Sequence, residues 1–400
     1  MGFASPSARR RICMSLLRRR LYVLVVWLAL VAATTLPSAS SLGSPSLGSS
    51  KADLCAQDLD QARATLDLVK VTPERAPPLH GGGAVQYPRV LCYVVTYSPN
   101  HGTKARAVAE TWGQRCDKLI FFSNMTDSIV VGAGTPAEKT FDVVALDGIA
   151  DHAHLWQKTG DALRFIHANY RNDYDWFYKA DDDAYVVVEN LRNYLKRPEI
   201  VNTYNREPMQ MGHRLNLGES AVNYYIKNET LKSLWHSRWD RWVYNSGGPG
   251  YVMNRLYVST FVEILDDWTC LSDPDSATTP EDAGISFCMM WHGVYPWDTR
   301  DYRGRERWHA YSPRNIYAPP GVDDPNNWYV QYHRQIGGIR SQEESAAPDS
   351  VAFHYIRQPL MYYLERTLYF CRTGDDVPDI ATFNSKYNLA LSDKVVLSEA

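Results

Sequence analysis

An acidic triplet stands between two apolar runs near the middle of the chain. Asp181, Asp182 and Asp183 follow the stretch WFYKA at residues 176–180, and the apolar run 184–188 comes directly after them. Adjacent carboxylates repel one another, so holding them between buried segments requires a compensating cation. Hard oxygen ligands favour Mg²⁺ or Mn²⁺, and such sites commonly keep positions open for substrate phosphates. The triplet therefore predicts a metal–diphosphate site. A calcium loop and a solvated acidic turn are the alternatives.

Apolar strands alternate with helical patterns around this triplet. The run VLCYVVT at residues 90–96 is continuously apolar, which is typical of a strand buried on both faces of a parallel sheet. Further strands are predicted at 118–122, 140–146 and 176–180, and helices at 104–112 and 154–170. This alternation favours a doubly wound α/β sheet. Ligands bind beyond the carboxyl ends of the strands in such sheets, and the acidic triplet lies at one of these ends.

The N-terminal segment carries six arginines, at positions 9–11 and 18–20, before an uncharged run at residues 21–36. Sixteen helical residues span ~24 Å at ~1.5 Å each, enough for a thin early-secretory membrane. Positive flanks stay cytosolic, which would leave the bulk of the chain lumenal. The segment predicts a single-pass type II anchor, and a cleaved signal peptide is the alternative.

The predicted organisation follows from this anchor. We expect a cytosolic tail (1–20), a membrane anchor (21–36), a stem rich in Ser, Gly and Pro (37–86), a catalytic domain (87–375) and a C-terminal tail (376–400). A net charge of −3 gives no electrostatic basis for binding nucleic acid. Two glycosylation sequons and six cysteines beyond the anchor agree with a lumenal domain, and an even number of cysteines suits disulfides.

The segment WFYKADDDAYV at residues 176–186 resembles the metal-binding segment of the β1,3-glycosyltransferase family that includes the fringe enzymes. Among its members, the core 1 β1,3-galactosyltransferases are the most similar. Other blocks follow in the family's order: VLCYVVT at 90–96, TWGQRC at 111–116, LWQKT at 155–159, SGGPGYV at 246–252, ED at 281–282 and FHYI at 353–356. Several short motifs in one order are far more specific than any single motif.

The resemblance implies a GT-A fold, which is an α/β fold with a Rossmann-like, mostly parallel sheet, flanking helices and a merged acceptor-binding region. It implies Mn²⁺ as the cofactor and UDP-galactose as the donor. The reaction would transfer galactose with inversion, in β1,3 linkage, to N-acetylgalactosamine on Ser or Thr of a glycoprotein in the Golgi. A relative with another donor or acceptor is one alternative. A non-catalytic chaperone or lectin of the secretory pathway is another.

Site residues carried over from the family fall into four groups. These are the metal ligands Asp181, Asp183 and His354, the donor-contacting Thr96, Lys158 and Asp181, the general base Asp282, and the acceptor-binding Glu281, Tyr251 and Trp328. His309 is a competing metal ligand. On the residues alone, His354 in an apolar strand is more often a core histidine, Trp328 is equally a packed core ring, and the loop SGGPG at 246–250 is a turn.

The chemistry gives these assignments a physical basis. Inverting transfer is one in-line displacement and needs one base opposite the leaving group. The departing UDP gains charge, which a metal on its phosphates can neutralise. Asp282 follows the run TTPE at residues 278–281, a pattern typical of a helix N-terminus, where we expect the carboxylate to be held ionised.

The sequence departs from the family pattern in ways that bear on the acceptor and on the donor contacts. An insertion at residues 215–243 carries three tryptophans, and Ala109 stands where the family often has a basic residue, with Arg106 the nearest cation upstream. The subfamily's adjacent cysteine pair before the FHYI block is also missing.

The family-guided disulfide pairing is Cys92 with Cys116 and Cys270 with Cys288. Cys55 and Cys371 would pair with each other or between subunits, and the second case would give a homodimer.

Overall fold

The computed structural model describes residues 60–73, 88–146, 155–270 and 280–371. These residues belong to the compact unit Ser49–Ala400. The predicted cytosolic tail, membrane anchor and C-terminal tail lie outside the described residues, as does most of the predicted stem. Within the described ranges, no helix combines the length and the apolar character needed to cross a bilayer.

The strands are short and are spread along the whole described chain. They are β1 (Val90–Val95), β2 (Lys118–Ser123), β3 (Asp127–Val131), β4 (Lys139–Ala145), β5 (Trp176–Asp181), β6 (Tyr185–Val186), β7 (Gln210–Gly212), β8 (Arg214–Leu217), β9 (Trp242–Asn245), β10 (Tyr251–Asn254), β11 (Trp308–His309) and β12 (Ala352–Phe353).

Helices connect these strands and cover the sheet. They are α1 (Asp60–Leu68), α2 (Arg106–Glu110), α3 (Leu155–Tyr170), α4 (Val188–Leu195), α5 (Pro198–Thr203), α6 (Glu219–Tyr225), α7 (Glu229–Arg238), α8 (Arg255–Ile264), α9 (Glu281–Trp291), α10 (Pro313–Tyr317), α11 (Trp328–His333) and α12 (Gln358–Glu365).

The central sheet has seven strands in the order β3-β4-β2-β1-β5-β10-β7. Strands β4, β2, β1 and β5 run parallel, whereas β3 and β10 are antiparallel to their neighbours. The predicted α/β class with a mostly parallel sheet is therefore confirmed, and the four predicted strands are β1, β2, β4 and β5. The sequence did not predict β3, a partly exposed edge strand of five residues.

Strand pairing brings the predicted site residues together. β1 and β5 are parallel neighbours with Val95 opposite Asp181, so Thr96 and the acidic triplet lie at the same edge of the sheet. The chain then enters β6, which pairs with β12 with Tyr185 opposite Phe353. Because His354 directly follows Phe353, this small second sheet carries the histidine to the aspartates.

The predicted disulfides Cys92–Cys116 and Cys270–Cys288 are both present. The first joins β1 to the turn that precedes β2, and the second joins the segment after α8 to α9. Cys371 is also disulfide-bonded. Its proposed pairing with Cys55 cannot be followed, because Cys55 lies outside the described residues.

The inserted segment forms β8, α6, α7 and β9, which pack against α9. Its Trp235 and Trp242 are buried in one apolar cluster with Phe287 of α9. The Trp242 indole Nε1 also donates to the Ala283 carbonyl oxygen at 3.0 Å. The insertion therefore supports the helix that carries Asp282.

A buried ion pair fixes β6 immediately after the triplet. The Arg115 guanidinium donates from Nη1 to Glu365 Oε2 at 3.1 Å, and the Tyr185 hydroxyl donates to the same carboxylate. The side chains of Arg115 and Glu365 are 3% and 0% exposed. Since Tyr185 pairs with the strand before His354, this contact stabilises the frame of the site.

Replacing Arg115 with Met should destabilise the domain by ~3–5 kcal/mol, because it leaves the Glu365 carboxylate buried without its cation. Chemical denaturation of the purified domain measures this change. Arg164→Met is the matched control, because Arg164 and its partner Asp266 are 42% and 84% exposed. We expect a change within about 0.5 kcal/mol there. Equal effects in the two variants would contradict this role for Arg115.

Candidate metal and transfer site

Asp181, Asp183 and His354 form a cluster of three metal-ligating side chains. One ligand atom from each lies within 4.8 Å of the others. His354 Nε2 is 3.4 Å from Asp183 Oδ1, and all three side chains are partly exposed. Two carboxylates and an imidazole suit Mn²⁺, and the exposure leaves positions open for phosphate oxygens. The residues therefore fit the metal that the family resemblance implies.

Asp182, the middle member of the triplet, has a different set of partners. Its Oδ2 accepts hydrogen bonds from Thr96 Oγ1 and Asn100 Nδ2, each at 2.7 Å. Lys104 Nζ is 3.3 Å from Asp182 Oδ1 and 3.3 Å from Asp183 Oδ2. Asp182 therefore holds the segment after β1 against the triplet and is not a member of the cluster with His354. Asn100 and Lys104 were not predicted from the sequence, because only the β1–β5 pairing brings them here.

The charges around the cluster favour an ionised Asp183. Burial alone would raise the pKa of Asp183, but its hydrogen bond to His354 and the nearby Lys104 ammonium outweigh burial and lower it to about 2. For Asp181, burial raises the pKa, and the Lys179 ammonium offsets only part of this effect. Asp183 is therefore more readily ionised than Asp181.

Lys179 is a buried cation that connects Asp181 to α9. Its Nζ contacts Asp181 Oδ1 at 2.6 Å and Glu281 Oε1 at 2.8 Å, and it donates to the Gly247 carbonyl oxygen at 3.1 Å. Burial would lower the pKa of Lys179, but the two carboxylates raise it. Lys179 was not predicted as a site residue, although a charged residue inside the apolar run WFYKA is a visible signal in the sequence.

Glu281 and Tyr251 belong to the same buried network. The Tyr251 hydroxyl donates to Glu281 Oε2 at 3.0 Å, and both side chains are buried. Their predicted contact with the acceptor stays a prediction. In the structure, Glu281 pairs with the Lys179 ammonium, and Tyr251 holds the Glu281 carboxylate in place.

The loop at residues 246–250 touches both halves of the site. An added Cβ at Gly248 would lie 2.1 Å from the His354 ring. The backbone N–H of Gly247 donates to Asp282 Oδ2 at 2.8 Å. Gly250 has a φ of +86°, and a Cβ there would lie 2.1 Å from the Lys179 carbonyl oxygen. Glycine is therefore required by close approach and by backbone conformation.

Asp282 lies in the first turn of α9, as predicted, but its ionisation differs from the prediction. Burial and the neighbouring Glu281 charge raise the pKa of Asp282 to about 7, against the hydrogen bonds from the Gly247 and Ala283 N–H groups. The expectation that the helix N-terminus holds this carboxylate ionised is wrong, because burial outweighs the helix contribution. A pKa near 7 suits a general base that works near neutral pH.

Exposed aromatic rings extend from the metal cluster. The Tyr355 ring stacks on His354 with centroids 3.8 Å apart, and Tyr311 lies between Tyr355 and Trp328 at 6.2 and 6.3 Å. Trp328 is 42% and Tyr355 54% exposed. Trp328 is thus partly open and not a fully packed core ring, and its contact with an acceptor stays a prediction. Tyr311 was not singled out from the sequence, and Tyr355 was quoted only as part of the FHYI block without a role of its own.

The two remaining candidates are buried. His309 Nε2 is hydrogen-bonded to Ser350 Oγ at 2.9 Å, and its ring stacks on Phe353 at 5.0 Å. The structure therefore brings His354, and not His309, to the aspartates. Lys158 is buried within α3, and its contact with a donor stays a prediction.

Comparison with known proteins identifies the family. The Fringe-like family model matches residues 85–299. The chain belongs to the Fringe-like family. It is 30% identical to glycoprotein-N-acetylgalactosamine 3-beta-galactosyltransferase 1 of Xenopus laevis over 284 residues. The matched region covers 71% of this chain and 67% of the relative. The resemblance found in the sequence is thereby confirmed.

More distant matches belong to larger or less similar proteins. Chondroitin sulfate synthase 3 of Mus musculus is 25% identical over 218 residues. The matched region covers 54% of this chain but only 22% of the synthase. A solved structure, core-mannan synthase A from Aspergillus fumigatus in its Mn/GDP form, matches 57% of this chain and 75% of that one. Its TM-score of 0.29 and identity of 9% are too low to support an argument.

Gly248→Ala should weaken metal binding by about 10- to 100-fold, because the added methyl displaces the His354 ring that the loop supports. Mn²⁺ titration in the presence of UDP measures this effect. Gly218→Ala is the control, because a Cβ at Gly218 meets nothing within 4 Å. Unchanged Mn²⁺ affinity in a folded Gly248→Ala variant would contradict this packing of His354.

Proposed function

We propose that this protein is an inverting, Mn²⁺-dependent glycosyltransferase that moves galactose from UDP-galactose in β1,3 linkage to N-acetylgalactosamine on Ser or Thr of glycoproteins. The observation that carries the proposal is the joint contact of one glycine loop with two groups. Gly248 packs on His354 of the metal cluster, and Gly247 donates to the Asp282 carboxylate. A cation-binding cluster and a carboxylate of raised pKa thus stand beside the same short loop.

The reaction follows from this arrangement. Asp282 accepts the proton from the acceptor 3-hydroxyl while that oxygen forms a bond to the anomeric carbon of galactose. The bond from the anomeric carbon to the UDP oxygen breaks, and its electron pair leaves with UDP. Asp181, Asp183 and His354 would hold Mn²⁺, which would supply positive charge to the diphosphate. Lys179 keeps Asp181 in place, and Asp182 holds the Thr96 segment beside it.

The aromatic rings provide a surface for the acceptor. Sugar rings stack on exposed aromatic faces, and Trp328 and Tyr355 are the exposed ends of the aromatic series that begins at His354. An acceptor sugar on this surface would lie next to the metal cluster. We place the protein in the Golgi membrane as a single-pass type II protein, with residues 21–36 as its anchor and the catalytic domain in the lumen.

A relative with another donor or acceptor is the second candidate. The similarity to chondroitin sulfate synthase 3 favours it, because a similar domain occurs in a protein whose name gives a different product. A chaperone or lectin without catalysis is the third, and the presence of both aspartates, His354 and Asp282 argues against it.

A screen of UDP-sugars against GalNAc-peptides and free glycans tests the proposed substrates. We expect galactose transfer from UDP-galactose to a GalNAc-peptide, dependent on Mn²⁺, with product linkage assigned by NMR. Asp183→Ala should reduce turnover by ~10²-fold or more, because it removes a ligand at a site that stabilises developing charge, whereas His309→Ala should retain Mn²⁺ dependence. Transfer of a different sugar would support the second candidate, and binding without transfer would support the third.

The pH dependence of turnover tests Asp282 as the base. A base must be deprotonated to act, so kcat/KM should rise with pH through about 7, the pKa of Asp282. Asp282→Asn should lower kcat by ~10²–10⁴-fold with little change in donor affinity. Glu281→Gln removes a neighbouring negative charge, so it should move the rising limb to lower pH. The assignment of Asp282 as the base would be contradicted if kcat/KM rises over the same pH range in Glu281→Gln as in the unchanged protein. It would also be contradicted if turnover survives in Asp282→Asn.

A further inference from the structure

A second cluster of ligating side chains lies outside the transfer site. His213 sits between β7 and β8, His333 ends α11, and Glu306 lies two residues before β11. One ligand atom from each falls within 4.8 Å of the others. The two histidines are 0% and 2% exposed. Nothing in the proposed transfer reaction uses these three residues.

The hydrogen bonds of the two histidines leave two lone pairs facing each other. His213 Nδ1 is 2.7 Å from the Trp308 carbonyl oxygen, and His333 Nδ1 is 2.7 Å from the Tyr329 carbonyl oxygen. A carbonyl oxygen only accepts, so both Nδ1 atoms carry the proton in the neutral rings. The two Nε2 atoms are then both acceptors, yet they lie 3.1 Å apart. A cation between them removes this repulsion.

We propose that His213, His333 and Glu306 bind a Zn²⁺ ion, with a water molecule as the fourth ligand. Two nitrogen ligands of a tetrahedral zinc ion, each ~2.0–2.1 Å from it, lie about 3.3 Å apart, close to the observed Nε2 separation. Zinc-binding histidines commonly donate their other ring N–H to a backbone carbonyl, as both do here. The Glu306 side chain is 15% exposed, which gives water access to the ion.

A proton shared between the rings is the competing explanation. It would bury an imidazolium among the rings of His213, His333 and Tyr329, which costs free energy unless the charge is fully paired. The Glu306 carboxylate approaches His213 most closely at Nδ1, at 3.7 Å, so its side chain would turn toward the two Nε2 atoms when the ion binds. Arg214 and Arg300 near Glu306 each pair with Asp298, so Glu306 is not their main partner.

The ion would stabilise the segment that presents Trp328. His333 and Trp328 are the two ends of α11, and His213 belongs to the chain that connects the central sheet to the inserted segment. Binding would therefore join α11 to β8 and the chain before β11. The proposed zinc site shares no residue with the metal cluster at the transfer site, so its test does not depend on which sugar the protein transfers.

Co²⁺ titration of the full-length Asp183→Ala protein tests the proposal, because that change removes the cluster at the transfer site. We expect one equivalent of Co²⁺ with the visible absorption of a four-coordinate ion, displaced by Zn²⁺. His333→Gln and Glu306→Gln, each added to Asp183→Ala, should lower the Co²⁺ affinity at least 10-fold. His292→Gln should not, because His292 is a half-buried histidine paired with Asp267 outside this cluster.

Two results would overturn the zinc proposal. One is the absence of Co²⁺ binding in a folded Asp183→Ala protein, which would favour the shared proton. The other is unchanged Co²⁺ affinity in the Glu306→Gln and His333→Gln proteins. If His333→Gln fails to fold, the Glu306→Gln protein decides, since its partly exposed carboxylate can be replaced by an amide of the same shape. Circular dichroism confirms folding in every variant.

Discussion

The buried ammonium of Lys179 is the interaction on which the proposed site depends. It lies on the same strand as Asp181 and contacts Glu281, next to Asp282 in sequence, so one charge joins the metal cluster to the first turn of α9. Without this cation, the negative charges of Asp181 and Glu281 would be left without their shared partner. Loss of one partner in such a network leaves an uncompensated charge, which is strongly destabilising. The network thus joins Asp181 of the proposed metal cluster to the helix that carries the proposed base.

The glycine loop works together with this charge network. It passes so close to Lys179, Glu281 and His354 that a side chain at Gly247 or Gly248 would overlap them. The Gly247 carbonyl oxygen accepts from Lys179, and its N–H donates to Asp282. One residue therefore contacts both the structural cation and the proposed base. Such rigid positioning is what transfer between two bound substrates requires.

Much of the fold followed from sequence pattern, because the buried parallel strands are continuous apolar runs. Strands β1, β2, β4 and β5 and helix α3 were predictable for this reason. The edge strand β3 was not, since it is short and partly exposed. The acidic triplet pointed to a metal site, but sequence proximity could not show that Asp182 faces Thr96 and Asn100 while its neighbours face His354. That division is set by the turn between β5 and β6.

Contacts over long sequence separations were the hardest to predict. Lys104 meets Asp183, and Tyr311 meets Tyr355, only because strands and short helices from distant segments converge. The raised pKa of Asp282 is another example, because its largest cause is burial, which only the folded chain sets. The His213–His333 pair carries no local motif at all. Motif similarity pointed to the proposed reacting groups, while contacts with distant parts of the chain set the pKa of Asp183 and burial sets that of Asp282.

The most direct test is a crystal structure of the protein with Mn²⁺ and UDP, with anomalous diffraction recorded above and below the manganese absorption edge. The account predicts a manganese peak within coordination distance of Asp181, Asp183 and His354, with a UDP phosphate oxygen on the same ion and Asp282 left unligated. A manganese peak bound by Asp182, by His309 or by Asp282 in place of these three residues would contradict it.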